Sequence, residues 1–116
     1  MAVIQIFGSI KNRDTQKAER YFKERGLKYQ FIDLAEKGMS KGELDSVCSV
    51  IPIEQLINRE SSEFKRLNLA YMSFEIHEML LEHPLLMKMP VLRYGKLVSC
   101  GFNREVMEKI AKDYKS

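Results

Sequence analysis

VIQIFGSIKNRDTQKA, residues 3–18, is the stretch whose reading decides the fold of this chain. Val3, Ile4, Ile6 and Phe7 form a short, β-branched apolar run of the kind that makes a buried strand. Gly8-Ser9 interrupts it, and Asn12 and Asp14 are side chains suited to capping a helix that begins at once. A strand, a tight loop and a helix N-terminus together create a concave place where backbone N–H groups point outward. The helix dipole adds roughly half a positive charge there. Lys11 and Arg13 make the loop more positive. Such a loop stabilises an anion or a thiolate, yet this one contains no cysteine.

Working outward, the spacing predicts a first helix over residues 14–25 with an apolar stripe of Ala18, Tyr21 and Phe22. Gly26 stands where a left-handed cap is wanted. Glu19–Lys23 and Arg20–Glu24 are spaced as i,i+4 pairs on its solvated face. A second strand follows at 29–34, and strand–helix–strand implies two parallel strands joined by a right-handed crossover. Ser40 and Glu43 form a capping-box pattern ahead of Leu44, Val47, Cys48 and Ile51 at helical spacing. Pro52 ends that helix or starts a short one running through Ile57. Residues 58–62 read as a polar loop and 63–69 as one or two helical turns. Residues 73–82 read as a helix with Met72, Ile76, Met79 and Leu80 turned inward. The segment from 40 to about 87 is therefore a helical insertion without a strand signal. Strands return at 91–94 and 96–100, with the single Gly95 between them implying a tight antiparallel hairpin. Val106, Met107, Ile110, Ala111 and Tyr114 then mark a final amphipathic helix.

The chain has 116 residues, enough for one domain with its own core. It is 45% hydrophobic and 30% charged, an ordinary balance for a soluble globular protein. Nineteen basic residues against sixteen acidic ones leave a net charge of +3, evenly mixed along the chain, so nucleic acid is not the expected partner. No window approaches the ~18–20 apolar residues of a membrane span, and the first residues lack a signal-peptide pattern. Cys48 and Cys100 form no CxxC pair and no metal-ligand spacing with His77 or His83. The expectation is a reduced, cytoplasmic protein with no metal.

The order β-α-β, helices, β-β-α is a thioredoxin-like topology: a mixed four-stranded sheet with a helical insertion between strands two and three. Over nearly all of residues 1–116, read as a single domain, the chain resembles the arsenate reductase-like (ArsC/Spx) family. The matching stretches are IQIFG at 4–8, DTQKAERYFKERGLKYQFIDL at 14–34, GMSKGEL at 38–44, LINRES at 56–61, LLEHPLLMKMPVLRYGK at 80–96, and GF at 101–102. The resemblance implies a bacterial protein with a nucleophilic cysteine in the loop after strand one, where the helix N-terminus favours the thiolate. In arsenate-reducing members that cysteine attacks arsenate, and glutathione with glutaredoxin resolves the adduct. In Spx-like regulators the loop carries a CxxC switch on a protein that binds RNA polymerase.

Aligned without a gap between Phe7-Gly8 and Lys17-Ala18, the nucleophile position falls on Asn12, and Thr15 takes the second CxxC position. Sliding the loop puts the nucleophile on Arg13 instead; the ungapped register is preferred because it keeps both anchors. The arginines that hold the oxyanion in active members correspond to Asn58, with Arg59 beside it, to Met89, and to the region of Cys100 and Gly101, with Arg104 further on. The resemblance also implies a cis peptide bond at Pro90, close to the first loop. What is expected is an arsenate reductase-family protein without its nucleophile, acting by binding a protein partner or a small oxyanion. The candidate anion-binding residues are Ser9, Lys11, Asn12, Arg13, Thr15 and Arg59. One alternative is an oxidoreductase that works with glutathione and glutaredoxin and uses Cys100, or a thiol supplied in trans. Another is an Spx-like regulator of RNA polymerase without a redox switch. Cys48 reads as a core residue, His83-Pro84 as a structural turn, and the methionines Met72, Met79, Met87, Met89 and Met107 as packing.

Overall fold

A computed structural model describes residues 2–115. Four strands, β1 (Ile4–Gly8), β2 (Tyr29–Asp33), β3 (Val91–Tyr94) and β4 (Leu97–Cys100), form one mixed sheet in the order β2-β1-β3-β4. The β1–β2 pair is parallel, and β1–β3 and β3–β4 are antiparallel. The helices are α1 (Arg13–Glu24), α2 (Lys41–Cys48), α3 (Ile53–Leu56), α4 (Ser62–Arg66), α5 (Ile76–Glu82) and α6 (Arg104–Lys115). Single 3-10 turns lie at Leu69–Tyr71 and Pro84–Leu86.

The two-residue period of the strands divides the interior in two. Ile4 and Ile6 of β1, with Leu92 and Tyr94 of β3, pack under α1 and α6 against Ala18, Phe22, Met107 and Ile110. Phe7, Val91 and Val98 face the other way, into a cluster built by the insertion from Leu44, Val47, Leu56, Ile57, Leu80, Leu86 and Met87. The thioredoxin-like arrangement read from the sequence is thus present, with helices on both faces.

Several local readings are corrected. Lys96 is not in a strand: Tyr94 pairs with Leu97, so Gly95-Lys96 is a two-residue turn, with Gly95 at φ +57°. The helix expected at 73–82 begins only at Ile76, because the Glu75 carboxylate accepts from the His77 N–H and caps it. Met72, ahead of that cap, is exposed rather than inward. The insertion also holds an isolated antiparallel bridge, Ile57 to Met87. Among the described residues neither Glu19–Lys23 nor Arg20–Glu24 forms an ion pair; Glu19 instead accepts a hydrogen bond of 3.0 Å from the Tyr29 hydroxyl. Ser40 and Glu43 form the capping box, and Gly26 follows α1 at φ +69°. Among the described residues no helix is long and apolar enough to cross a membrane.

Candidate functional site

The loop after β1 is tied to itself. The Asn12 N–H donates to the Ser9 carbonyl at 3.0 Å, and the Lys11 N–H to Ser9 Oγ at 3.3 Å. Asn12 then caps α1: its Oδ1 accepts from the Thr15 N–H at 2.8 Å and from Thr15 Oγ1 at 2.9 Å. Thr15 is fully buried, and its side chain lies over Gly8, where a Cβ would collide with it. Glycine at position 8 is what lets helix and strand approach this closely.

Residues 9–12 form one wall of a cavity of about 350 Å³, to which Ser9, Lys11 and Asn12 contribute. The facing wall comes from the insertion: Asn58, Ser61, Ser62 and Glu63. Leu85, Met87 and Met89 line the rest. Backbone bonds from Asn58 N to the Leu86 carbonyl (2.7 Å) and from Lys88 N to the Leu56 carbonyl (2.8 Å) hold the insertion to the segment leading into β3. The Met89–Pro90 peptide bond is cis, as expected. Since Phe7 pairs with Val91, continuing that register by one residue sets Pro90 opposite Gly8, beside the loop.

The charges in the cavity are mixed. Lys11 is exposed and makes no ion pair among the described residues. Opposite it, Glu63 accepts two hydrogen bonds from Arg66, at 2.8 and 3.1 Å, and His83 Nδ1 lies 3.9 Å from its carboxylate. The Arg66 hydrogen bonds favour the ionised form of Glu63 and hold its carboxyl below its ordinary pKa, against an opposing push from burial. Ser61 spends its hydroxyl on the Asn58 carbonyl (2.8 Å) and accepts from Phe64 N (3.1 Å) as the cap of α4.

The fold therefore gathers Ser9, Lys11 and Asn12 with Asn58, and leaves other candidates apart. Arg13 is exposed and outside the cavity wall. Thr15 is buried beneath the loop. Arg59 is exposed and turned to the rings of Phe64 and Phe74, 5.7 Å from each centroid. Cys100 is half-buried; its thiol donates to the Gln55 carbonyl at 3.6 Å and does not line the cavity. Burial pushes the Cys100 thiol up, against a smaller pull from Lys88, while burial and Asp45 push Cys48 up. Sequence reasoning missed Ser61, Ser62, Glu63 and Leu85. Only the Ser61-Ser62-Glu63 run carried a signal, as the start of a helix. Among the described residues no group of His, Cys, Asp or Glu could hold a metal ion.

Comparison with known proteins decides the family. The sequence pattern of the ArsC family matches residues 7–110. The chain belongs to the ArsC family. One ArsC/Spx relative is the global transcriptional regulator Spx 2 of Oceanobacillus iheyensis, 27% identical over 107 residues, which cover 88% of this chain and 78% of that protein. An arsenate reductase (ArsC) related protein from Brucella melitensis has 26% identity and a TM-score of 0.67 over 92% of each chain. The arsenate reductase from Vibrio cholerae shares the fold at a TM-score of 0.77, with 18% identity over 94% of this chain and 98% of that one.

Proposed function

We propose that this ArsC/Spx-family protein acts in the cytoplasm by binding, without thiol chemistry, at the cavity between residues 9–12 and the insertion. The observation that carries this reading is Asn12. It stands where the family resemblance sets the nucleophile, and its side chain is committed to capping α1 through Thr15. An amide forms neither a thiolate nor a thiol–arsenate adduct. Cys100 is a poor substitute, since its sulfur is held at Gln55 and burial opposes its ionisation. The ligand that suits the cavity is a small oxyanion held by Lys11, Ser9 and the side-chain NH2 groups of Asn12 and Asn58, with Glu63 weakening the attraction.

The second reading is an Spx-like regulator acting on RNA polymerase without a redox switch, favoured by the Spx 2 relatives. Asn12 and Thr15 at the CxxC positions exclude a disulfide there, so such a role would rest on surface contacts alone.

Chemical-shift titration with sulfate and phosphate tests the first reading. We expect shifts at Lys11, Asn12 and Asn58 at millimolar concentrations, because so exposed a charge contributes little. Lys11→Ala should abolish the response and Glu63→Gln should strengthen it. Glutathione- and glutaredoxin-dependent arsenate reduction that disappears in Cys100→Ser would return the protein to the oxidoreductases. Capture of RNA polymerase without any oxyanion response would favour the regulator.

A further inference from the structure

A second cavity, of about 360 Å³, shares no wall residue with the first. Lys17 and Arg20 reach it from one face of α1, Arg25 from the C-terminal cap of that helix, and Arg104 from the start of α6; among the described residues Glu24 is the one carboxylate in its wall. Positions 17, 20, 21, 24 and 25 lie together because they are spaced at helical turns. Two aromatic rings order these cations. The Arg25 guanidinium stacks 3.5 Å from the Tyr21 ring centroid, with Nη1 donating to the Tyr21 carbonyl at 3.0 Å. Arg104 lies 5.7 Å from the same centroid, and Lys17 Nζ lies 5.6 Å from that of Phe102. A stacked guanidinium has less freedom to lose and still presents N–H groups at its edge.

Neither Arg20 nor Arg25 forms an ion pair among the described residues. Lys17 approaches Asp14 at 4.0 Å and Arg104 approaches Glu108 at 3.1 Å. Both pairs are exposed, so an incoming carboxylate exchanges with them readily.

We propose that this face docks an acidic segment of a partner protein, an extended run of a few Asp or Glu residues laid along α1. The length of the patch favours such a segment over a lone anion. The backbone positions of Lys17 and Arg25 are about 12 Å apart along the axis at ~1.5 Å per residue, a length that an extended segment matches better than one sulfate or phosphate does. About four extended residues at ~3.3 Å each cover that span and bring alternate carboxylates onto the cations. A nucleic-acid backbone draws its affinity from many phosphates over a longer track, which this patch does not provide. The inference is independent of what binds beside residues 9–12.

The test is a chemical-shift titration of the full chain with an octaglutamate peptide at low salt, beside an uncharged serine–glycine peptide of equal length. Octaglutamate should move the amides of residues 17–25 and 102–104, and the uncharged peptide should not. Arg20→Glu should weaken binding by about tenfold or more, as charge reversal at an electrostatic contact does. That side chain is exposed and makes no hydrogen bond or ion pair among the described residues, so the variant should fold, which circular dichroism checks. No shift with millimolar octaglutamate, shifts confined to other surfaces, or an unchanged affinity in Arg20→Glu would each overturn the proposal. So would an oligothymidylate of equal charge that binds the same amides more tightly, since the face would then belong to nucleic acid.

Discussion

Asn12 Oδ1 accepts two hydrogen bonds from a single residue, Thr15, one from the backbone and one from a hydroxyl with no access to water. Asn12→Ala therefore removes a helix cap, worth about 0.5–2 kcal/mol. It also strands a buried hydroxyl, at a further ~1–3 kcal/mol. We expect Asn12→Ala to destabilise the fold by about 2 kcal/mol or more in urea unfolding, and Asn12→Asp to recover most of the loss. A difference below ~0.5 kcal/mol would show that the loop is ordered by something other than its cap. Tyr29 offers a second check at this scale. Burial first, then the hydrogen bond to Glu19 and its negative charge, push the phenol from 10.0 up to about 12. The folded pKa is raised, so the associated stability is complete below about pH 10 and is lost as pH climbs through about 12. In an absorbance titration one tyrosine of the native protein should ionise near that upper value, and Glu19→Gln should bring it down. If every tyrosine ionises together near pH 10, the Tyr29–Glu19 contact does not persist in solution.

The packing of β1 against α1 rests on Gly8 and Thr15. A Cβ at position 8 would fall on Thr15 Oγ1 and Cγ2, so Gly8→Ala should destabilise by about 1–3 kcal/mol through overpacking. Thr15→Ala makes the room but gives up the hydroxyl bond to Asn12. The double variant should be more stable than the sum of the single losses implies, with a coupling of ~0.5–3 kcal/mol. Strict additivity would mean that the two side chains do not meet. These elements were legible because their signals are local: alternating Ile4 and Ile6 against Phe7, a capping side chain, a glycine after the helix, and the Ser40–Glu43 box. What was not legible depends on competition between neighbours. Glu19 and Arg20 have spacings suited to Lys23 and Glu24, but Glu19 finds the Tyr29 hydroxyl across the crossover. Arg59 follows the residue matched to a family arginine, and it turns to Phe64 and Phe74 instead. Of the insertion's wall, the resemblance reached Asn58, and Ser61–Glu63 read only as the start of a helix, because tertiary contact alone brings them opposite Lys11.

The sheet separates two unequal halves. On one side, α1 and α6, each of 12 residues, pack their long apolar stripes on β1 and β3. On the other, the insertion uses helices of 8, 4, 5 and 7 residues, with one 3-10 turn between α4 and α5 and another after α5. Segments that short hold few internal hydrogen bonds and are not stable alone, so their order depends on the cluster around Leu56, Leu80 and Met87. Local opening should follow this division, because segments with fewer protected bonds open at lower free energy. In hydrogen exchange, the amides of α3 and α4 should exchange well before those of β1, β3, α1 and α6. The same experiment reports on the cavity, since one of its walls belongs to the weaker half and the other to the loop capped by Asn12. A ligand held between Lys11 and Asn58 favours the closed state by mass action, and a site near its dissociation constant gains only a few tenths of a kcal/mol. Sulfate or phosphate well above that constant should therefore slow exchange at residues 58–64 several-fold, and leave the outer face of α1 unchanged. Equal slowing in both halves would instead mark a general salt effect on the whole fold. Slowing confined to α1 and α6 would place the anion at the Arg20–Arg25 face and remove the cavity from consideration.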